Sequence, residues 1–264
     1  MKKVKFFIVF IFFIFSYCKT LGEEFDQSEP GKNYFEPGFE CKRGFLEKET
    51  NVFYLKLREN IRKNFPPVKE KPFLVIAGES TSALFESEIY RSYFPEYNVV
   101  NRAIGGETTI LFLTSMDEDI LALKPDVIFL SIGGNDLLGG RCLNLIINNL
   151  NLIFYKISQQ SPDTYIIFAS IPPVLSWKVN TITPYFNQKI QNLLKQYPKA
   201  IYFDLWEILS DEEVPKLREE YYRKNTDFLS TGYDKLHFNQ KGYEEIAKKL
   251  KPILDQIYKE KYKK

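Results

Sequence analysis

The chemistry of this chain centres on His237, which is its sole histidine and stands just before a predicted C-terminal helix. Histidine is the usual general base near neutrality, because its imidazole ordinarily titrates at about pH 6.5. Asp234 lies three residues earlier, so its carboxylate could accept the Nδ1 hydrogen and leave Nε2 free. The pair predicts that His237 acts as a general base for a nucleophile elsewhere in the chain, with Asp234 orienting its ring. The alternative is an incidental surface histidine beside a solvated aspartate, with Asn239 capping the helix.

The candidate nucleophile is Ser80, which follows the apolar run at 73–76 in the sequence Ala-Gly-Glu-Ser-Thr-Ser. A serine at a strand-to-helix turn holds its hydroxyl at the edge of the sheet. The backbone N–H groups of the following helix can then stabilise an oxyanion. Taken alone, Ser80 is better explained as a helix N-cap, because serine is a preferred residue there.

Two further loops contain groups that could bind an oxyanion. Gly105 and Gly106 follow the second predicted strand, and paired glycines allow a close backbone approach, so the Gly106 amide could face a developing negative charge. Asn135 follows the most apolar strand and could donate from its side-chain amide. Each has an ordinary alternative: a loop that ends on a threonine helix cap, and a Gly-Asn-Asp turn.

Regularly spaced elements must position these four segments. Strands are predicted at 73–77, 97–100, 126–132, 165–170 and 200–205, and helices at 49–64, 108–123, 143–159, 185–196 and 240–258. Alternating strands and helices predict parallel pairing with right-handed crossovers, and therefore a three-layer α/β domain. The strands are almost continuously apolar, as expected when helices cover both faces. Function in such sheets collects at the carboxyl ends of the strands, framed here by long loops at 172–183 and 209–231.

Together the four segments resemble the blocks of the SGNH, or GDSL-type, hydrolase family. In chain order the blocks are Gly-Glu-Ser80, Gly106 within Ile-Gly-Gly-Glu-Thr-Thr, Gly-Gly-Asn135-Asp, and Asp234-x-x-His237. The resemblance spans about residues 73–257. One departure is Glu79, which replaces the aspartate that shapes the first turn in the family. It puts the local geometry in question but removes no reacting group.

The resemblance implies a flavodoxin-like domain with a five-stranded parallel sheet and helices on both faces. It implies Ser80 as nucleophile, His237 as base and Asp234 as the carboxylate that orients the base. It also implies an oxyanion hole formed by the Ser80 amide, the Gly106 amide and the Asn135 side chain. No metal or organic cofactor is needed for this chemistry.

The activity that the resemblance implies is serine-dependent hydrolysis of carboxylic esters, whether short acyl, acetyl or lysophospholipid-like, through an acyl-enzyme on Ser80. An ordinary α/β-hydrolase keeps the same residue order but places its serine in Gly-x-Ser-x-Gly after several strands. No segment resembles the motifs of serine proteases. A non-catalytic surface adhesin or carbohydrate-binding protein that reuses the fold is the alternative from another class. Degraded blocks would favour it, whereas these are complete.

The charge balance gives no reason to expect a nucleic-acid partner. Lys2, Lys3 and Lys5 account for three basic residues, and the rest of the chain has 33 basic and 34 acidic ones. Without a basic groove, the 17 Tyr and 23 Phe are expected to pack in the core and on the surface rather than to stack on bases.

The first 18 residues are predicted to be an export signal. The early lysines lead into an apolar run at 6–17, which is shorter than the roughly 20 residues of a membrane-spanning helix. Cys18 follows where a lipoprotein cysteine would stand. We therefore predict an exported envelope protein that reaches the membrane through a lipid on Cys18. Plain secretion and an uncleaved anchor are the alternatives.

Residues 19–48 are predicted to form a tether or surface extension, because they are rich in Gly, Pro, Glu and Asn without periodicity. The hydrolase domain is then predicted at 49–264, including an N-terminal helix. A lipidated Cys18 would leave Cys41 and Cys142 as one potential disulfide pair in an oxidising compartment. Two unpaired cysteines are the alternative.

Overall fold

A computed structural model describes residues 48–225 and 232–263, all within one unit, Glu40–Lys264. The predicted signal, the tether up to residue 47, Cys18 and Cys41 lie outside the described residues. Cys142 is disulfide-bonded. Because Cys41 lies outside the described residues, its pairing with Cys142 stays a prediction.

Within the described residues, five strands form one parallel sheet in the order β2-β1-β3-β4-β5. The strands are β1 (Leu74–Gly78), β2 (Val99–Asn101), β3 (Val127–Ser131), β4 (Tyr165–Ala169) and β5 (Ala200–Phe203). Every residue of β1 and β3 is buried, which agrees with their continuous apolar sequence. The predicted flavodoxin-like α/β architecture is confirmed.

The helices alternate with these strands along the chain. They are α1 (Val52–Lys63), α2 (Ser80–Ala83), α3 (Ser87–Tyr93), α4 (Thr109–Asp119), α5 (Gly134–Leu138), α6 (Leu143–Gln160), α7 (Trp177–Leu194), α8 (Leu205–Leu209) and α9 (Gln240–Tyr262). Short 3-10 turns cover Leu121–Leu123 and Glu219–Tyr221. None of the helices among the described residues combines the length and apolar character needed to cross a membrane.

The core fills both faces of the sheet because side chains alternate along each strand. Leu74, Ile76 and Phe129 belong to an apolar cluster that includes Tyr243 and Leu250 of α9. On the opposite face, the ring of Phe154 in α6 meets Phe168 of β4, with ring centroids 5.5 Å apart. Helices therefore pack on both faces of the sheet, and the loops that follow its strands start from well-packed positions at its carboxyl edge.

Two regions differ most from the sequence prediction, which also did not include the short helices α2, α3, α5 and α8. Helix α7 begins at Trp177 rather than 185 and continues through Pro184, which shortens the predicted loop at 172–183. Ile182 and Phe186 are buried on its inner face, and this packing outweighs the roughly 3 kcal/mol that an internal proline costs. The second difference is an antiparallel pair, β6 (Tyr222–Lys224) and β7 (Tyr233–Phe238), where no strand was predicted.

Candidate active site

The turn between β1 and α2 presents Ser80 at the carboxyl edge of the sheet. Gly78 has a φ of +113°, and a Cβ there would lie 1.9 Å from the Ser131 carbonyl oxygen, so only glycine allows β1 and β3 to end this closely. Glu79 is the N-cap residue of α2 and Ser80 is its first helical residue. The N-cap explanation for Ser80 is therefore wrong.

The hydroxyl of Ser80 faces the imidazole of His237, with 2.8 Å between Oγ and Nε2. On the other side of the ring, Nδ1 lies 2.8 Å from Asp234 Oδ2. An ionised carboxylate can only accept hydrogen bonds, so Nδ1 carries the ring proton and Nε2 is left to accept from the serine hydroxyl. The structure thus brings the three predicted residues into one hydrogen-bonded chain across 157 positions of sequence.

Asp234 is fixed by its own backbone neighbourhood. Its Oδ1 accepts hydrogen bonds from the N–H groups of Leu236 at 2.9 Å and His237 at 3.1 Å. Burial acts to raise the pKa of Asp234, but these N–H groups and the imidazole hold it below its ordinary value. The charged form of the carboxylate is therefore favoured, and it is held in one orientation against the ring.

Strand β7, which the sequence analysis did not predict, positions both Asp234 and His237. Its start is paired to β6, where the rings of Tyr222 and Tyr233 meet. Its middle is held by the Leu175 N–H, which donates to the Lys235 carbonyl at 3.0 Å. Asn239 caps α9, as predicted in the alternative explanation, and its amide also donates to the Tyr222 carbonyl.

The two other predicted site residues line the same cavity as Ser80 and His237. Gly106 has a φ of +79°, and Asn135 lies in the first turn of α5. The Asn135 Nδ2 donates to Glu79 Oε2 at 2.8 Å and to the Glu107 carbonyl at 3.0 Å. Both amide hydrogens therefore have acceptors, and a substrate oxygen would share one of them or displace the Glu107 carbonyl.

Glu79 links the first block to the third. Its buried carboxylate accepts from the N–H groups of Gly134 at 3.1 Å and Asn135 at 2.9 Å, at the N-terminus of α5. A Cβ on residue 134 would lie 2.5 Å from Glu79 Oε1, so the absence of a side chain makes room for the glutamate. Burial raises the pKa of Glu79 to about 7, against the hydrogen bonds that favour its charged form. Glu79 stands where the family has an aspartate, and its hydrogen bonds to α5 show that the longer side chain is still anchored in the first turn.

Asp136 links the third block to the second. Its carboxylate accepts from the backbone N–H of Thr109 at 2.9 Å and from the Thr109 hydroxyl at 2.8 Å. These bonds hold the first turn of α4, directly after the loop that contains Gly106. Burial raises the pKa of Asp136 to about 6.

Lys48 and Tyr54 also reach the site, although the sequence analysis did not single them out. The Lys48 ammonium donates to the Gly106 carbonyl at 3.0 Å and to Asn135 Oδ1 at 3.2 Å. The Tyr54 hydroxyl donates to the Gly105 carbonyl at 3.1 Å. No local motif indicates these contacts, since they join positions some fifty or more residues apart.

The cavity beside Ser80 has a volume of about 210 Å³. Glu79, Thr81 and Gly134 also line it, and the rest of its wall is apolar, formed by Leu138, Ile171, Pro172, Val174, Val179 and Leu236. A larger cavity of about 410 Å³, lined by residues such as Lys71 and Asp126, contains none of the predicted site residues. Within 48–225 and 232–263, no group of three or more His, Cys, Asp or Glu side chains is arranged to hold a metal ion.

The fold and site can be compared with solved structures. A Streptococcus pneumonia protein named after platelet activating factor is 27% identical, with a TM-score of 0.64, over 76% of this chain and 92% of that one. A GDSL-like lipase from Bacteroides thetaiotaomicron is 18% identical, with a TM-score of 0.60, over 76% and 97%. An acetylxylan esterase from Geobacillus stearothermophilus is 15% identical, with a TM-score of 0.54, over 70% and 94%. The last two show the shared fold alone.

No curated protein matches the sequence. Residues 77–245, which contain all four blocks, match the model of the GDSL-like Lipase/Acylhydrolase family. This match covers more than half of the chain. The chain therefore belongs to the GDSL-like lipase/acylhydrolase family and is a hydrolase.

Proposed function

We propose that the protein hydrolyses carboxylic esters through an acyl-enzyme formed on Ser80. The observation that carries the proposal is the continuous chain from Ser80 Oγ to His237 Nε2 and from His237 Nδ1 to Asp234, with 2.8 Å at each link. Such a chain matches a nucleophile with its base and the group that orients the base. It also opens on a cavity that could hold a substrate.

The reaction follows from these contacts. His237 Nε2 takes the hydroxyl proton as Ser80 Oγ bonds to the ester carbonyl carbon, and the carbonyl oxygen becomes an oxyanion. When the intermediate collapses, the bond to the alcohol oxygen breaks and His237 returns the proton to that oxygen. Water then attacks the acyl-enzyme with His237 again as base, which releases the carboxylic acid and restores Ser80.

The oxyanion is expected to bind the amides of Ser80 and Gly106 and the side chain of Asn135. Fixed donors of this kind stabilise the transition state because they need no reorganisation when charge develops. Loss of one typically lowers kcat about 10²- to 10³-fold. The Glu79 and Asp136 carboxylates hold the two loops that present Gly106 and Asn135.

The preferred substrates are esters of short acyl groups. The cavity of about 210 Å³ is below the roughly 300–1,000 Å³ of typical ligand pockets, and its wall is mainly apolar. An acetyl or other short acyl group fits this space, whereas a lysophospholipid-like ester would leave most of its chain outside.

A non-catalytic adhesin or carbohydrate-binding protein has less support. Such a protein would require neither a contact between Ser80 and His237 nor a carboxylate held against the imidazole ring. Both contacts are present at 2.8 Å. The family match is also to hydrolases.

We also infer that the protein is exported and lipid-anchored through Cys18. The support is the lysine-rich start, the apolar run at 6–17 and the cysteine that follows it. The disulfide bond of Cys142 fits an oxidising compartment. Metabolic labelling with an alkyne fatty acid in a bacterial host should tag the full chain and fail for Cys18→Ala.

The test of the proposed activity is a series of p-nitrophenyl esters from acetate to decanoate. We expect kcat/KM to be highest for the shortest acyl groups and to be lost in Ser80→Ala. Ser82→Ala is the matched control, because Ser82 lies in the same short helix but is fully buried. Full activity in Ser80→Ala would refute the serine mechanism, and a preference for decanoate would refute the short-acyl assignment.

A further inference from the structure

Side chains of a short segment, residues 48–58, form hydrogen bonds with the loop that contains Gly106. Four of its side chains reach this loop: Lys48 contacts Gly106, Glu49 accepts from the Thr108 hydroxyl at 2.6 Å, Tyr54 contacts Gly105, and Arg58 pairs with Glu107. The Arg58–Glu107 pair is buried and joined at 2.9 Å. This segment lies outside the matched family region, which begins at residue 77.

We propose that Lys48 and Tyr54 are positioning residues of the catalytic centre, which fix the Gly106 amide and the Asn135 side chain in the orientation that binds an oxyanion. The inference rests on the proposed ester hydrolysis. It assigns to the N-terminal segment a part of the site that the four sequence blocks do not contain.

Tyr54 acts on the Gly106 amide through one peptide unit. The Gly105 carbonyl and the Gly106 N–H belong to the same planar trans peptide and point in opposite directions. By donating to that carbonyl at 3.1 Å, the Tyr54 hydroxyl sets the direction of the N–H group on its far side. Gly106 has a positive φ and no side chain, so its backbone needs such an external restraint.

Lys48 acts on the orientation of the Asn135 amide. Its ammonium faces Oδ1 at 3.2 Å, while Nδ2 faces the Glu79 carboxylate and the Glu107 carbonyl. A flipped amide would place its NH₂ group against a cation and its oxygen against a carboxylate, and both contacts are repulsive. The donor end of Asn135 is therefore held on the side of Glu79 and Glu107.

Lys48 also supplies positive charge where buried carboxylates surround the amide. Arg58 pairs with Glu107, and the Arg141 guanidinium lies 3.3 Å from Asp136. Glu79 has no ion pair within 4 Å among the described residues, and Lys48 interacts with it electrostatically. Uncompensated negative charge beside the site would oppose an oxyanion.

Burial lowers the pKa of Lys48, while the neighbouring carboxylates of Glu79, Asp136, Glu107 and Glu49 oppose that shift. The ring of Tyr54 also faces the ammonium, at 5.4 Å from its centroid. Loss of the Lys48 proton at alkaline pH would remove the positive charge that faces Asn135 Oδ1 and the neighbouring carboxylates. This gives the proposal a readout that a purely structural role would not share.

The experiment compares full-length Lys48→Met, Lys48→Arg and Tyr54→Phe with the wild type on p-nitrophenyl acetate. We expect Lys48→Met to lower kcat about 10- to 100-fold, as a misplacement of about 1 Å can, with KM changed less than threefold. Lys48→Arg should recover part of this loss, and Tyr54→Phe should lower kcat about 3- to 10-fold. The activity of the wild type should fall at alkaline pH as Lys48 loses its charge, and this fall should be absent in Lys48→Met.

Lys56→Met is the control, since it removes an exposed lysine from the same segment and should keep wild-type kcat. An inactive wild type would refute the proposed function itself. An active wild type with unchanged kcat in Lys48→Met or in Tyr54→Phe would overturn the inference alone. Melting curves identify a variant that does not fold; in that event Tyr54→Phe, which loses one hydroxyl, decides the question.

Discussion

Ser80 and Ser82 show that a residue type alone does not define a nucleophile. Both lie in helix α2, but Ser82 is fully buried and its hydroxyl has no hydrogen-bond partner in the described part of the chain. Ser80 is partly exposed, lines the cavity and lies against His237 Nε2. Contact with a base and access to the cavity are what distinguish them.

The sequence could predict this pairing because the chain has a single histidine, so the partner of any serine base was restricted to one position. It could also predict Asp234, since a carboxylate three residues away can reach the ring. It could not predict that both amide hydrogens of Asn135 already have acceptors, because Glu79 and the Glu107 carbonyl meet it only in the folded chain.

At the residue scale, Asp234→Asn is expected to lower kcat about 10²- to 10⁴-fold. The new amide can donate to Nδ1, which would move the ring proton to Nε2 and leave no acceptor for the Ser80 hydroxyl. Its oxygen can still accept from the Leu236 and His237 N–H groups, so the strand should stay intact. Steady-state kinetics with p-nitrophenyl acetate and circular dichroism test both parts; a kcat within threefold of wild type would contradict the account.

Buried strands were the elements that the sequence predicted best. Their apolar runs are local signals, and strands β1 to β5 begin and end within about two residues of the predicted bounds. Helix α7 was predicted to begin only at residue 185, whereas it continues through Pro184, with buried Ile182 and Phe186 on either side of the proline. Strand β7 was missed because its pairing with β6, which ends at Lys224, exists only in the folded chain and leaves no local signal in the sequence.

At the element scale, Gly134→Ala tests the contact between Glu79 and helix α5. The added methyl would meet Glu79 Oε1 at 2.5 Å and push the carboxylate off the helix N-terminus. We expect a loss of about 1–3 kcal/mol in the free energy of unfolding. The matched substitution Gly105→Ala meets nothing within 4 Å and should cost much less. Equal urea midpoints for the two variants would argue against the contact.

The whole described molecule places its candidate catalytic groups at the carboxyl edge of one sheet. Buried carboxylates connect the loops on that edge: Glu79 joins the first block to the third, and Asp136 joins the third to the second. Lys48 and Tyr54 add a connection from outside the blocks. The sequence blocks identify the reacting groups, but the acidic and basic contacts that fix them depend on side chains brought together from distant positions.

At the scale of the whole molecule, stability should fall as the pH rises from about 5 to 8. Burial raises the folded-state pKa of Glu79 from 4.5 to about 7, so the folded chain holds a proton that the unfolded chain has released. This contribution is complete below pH 4.5 and is lost as the pH rises through 7. Its size is on the order of 3 kcal/mol, since a change of one in a pKa corresponds to about 1.4 kcal/mol.

Urea unfolding of the wild type and Glu79→Gln at several pH values would measure this effect. Glu107 and Asp136 have pKa values raised in the same direction, so both proteins should lose stability with rising pH. The loss should be smaller in Glu79→Gln, which cannot release a proton there. Parallel pH profiles for the two proteins would show that Glu79 titrates normally.

The most direct test of the account is to find which residue becomes covalently modified. Purified protein is treated with an alkyl fluorophosphonate and digested, and the adduct is located by peptide mass spectrometry. We predict a single adduct on Ser80, formed at wild-type rate in Ser82→Ala and far more slowly in His237→Ala. Ester hydrolysis that continues in protein with no adduct on Ser80, or an adduct on another residue that abolishes activity, would contradict the account.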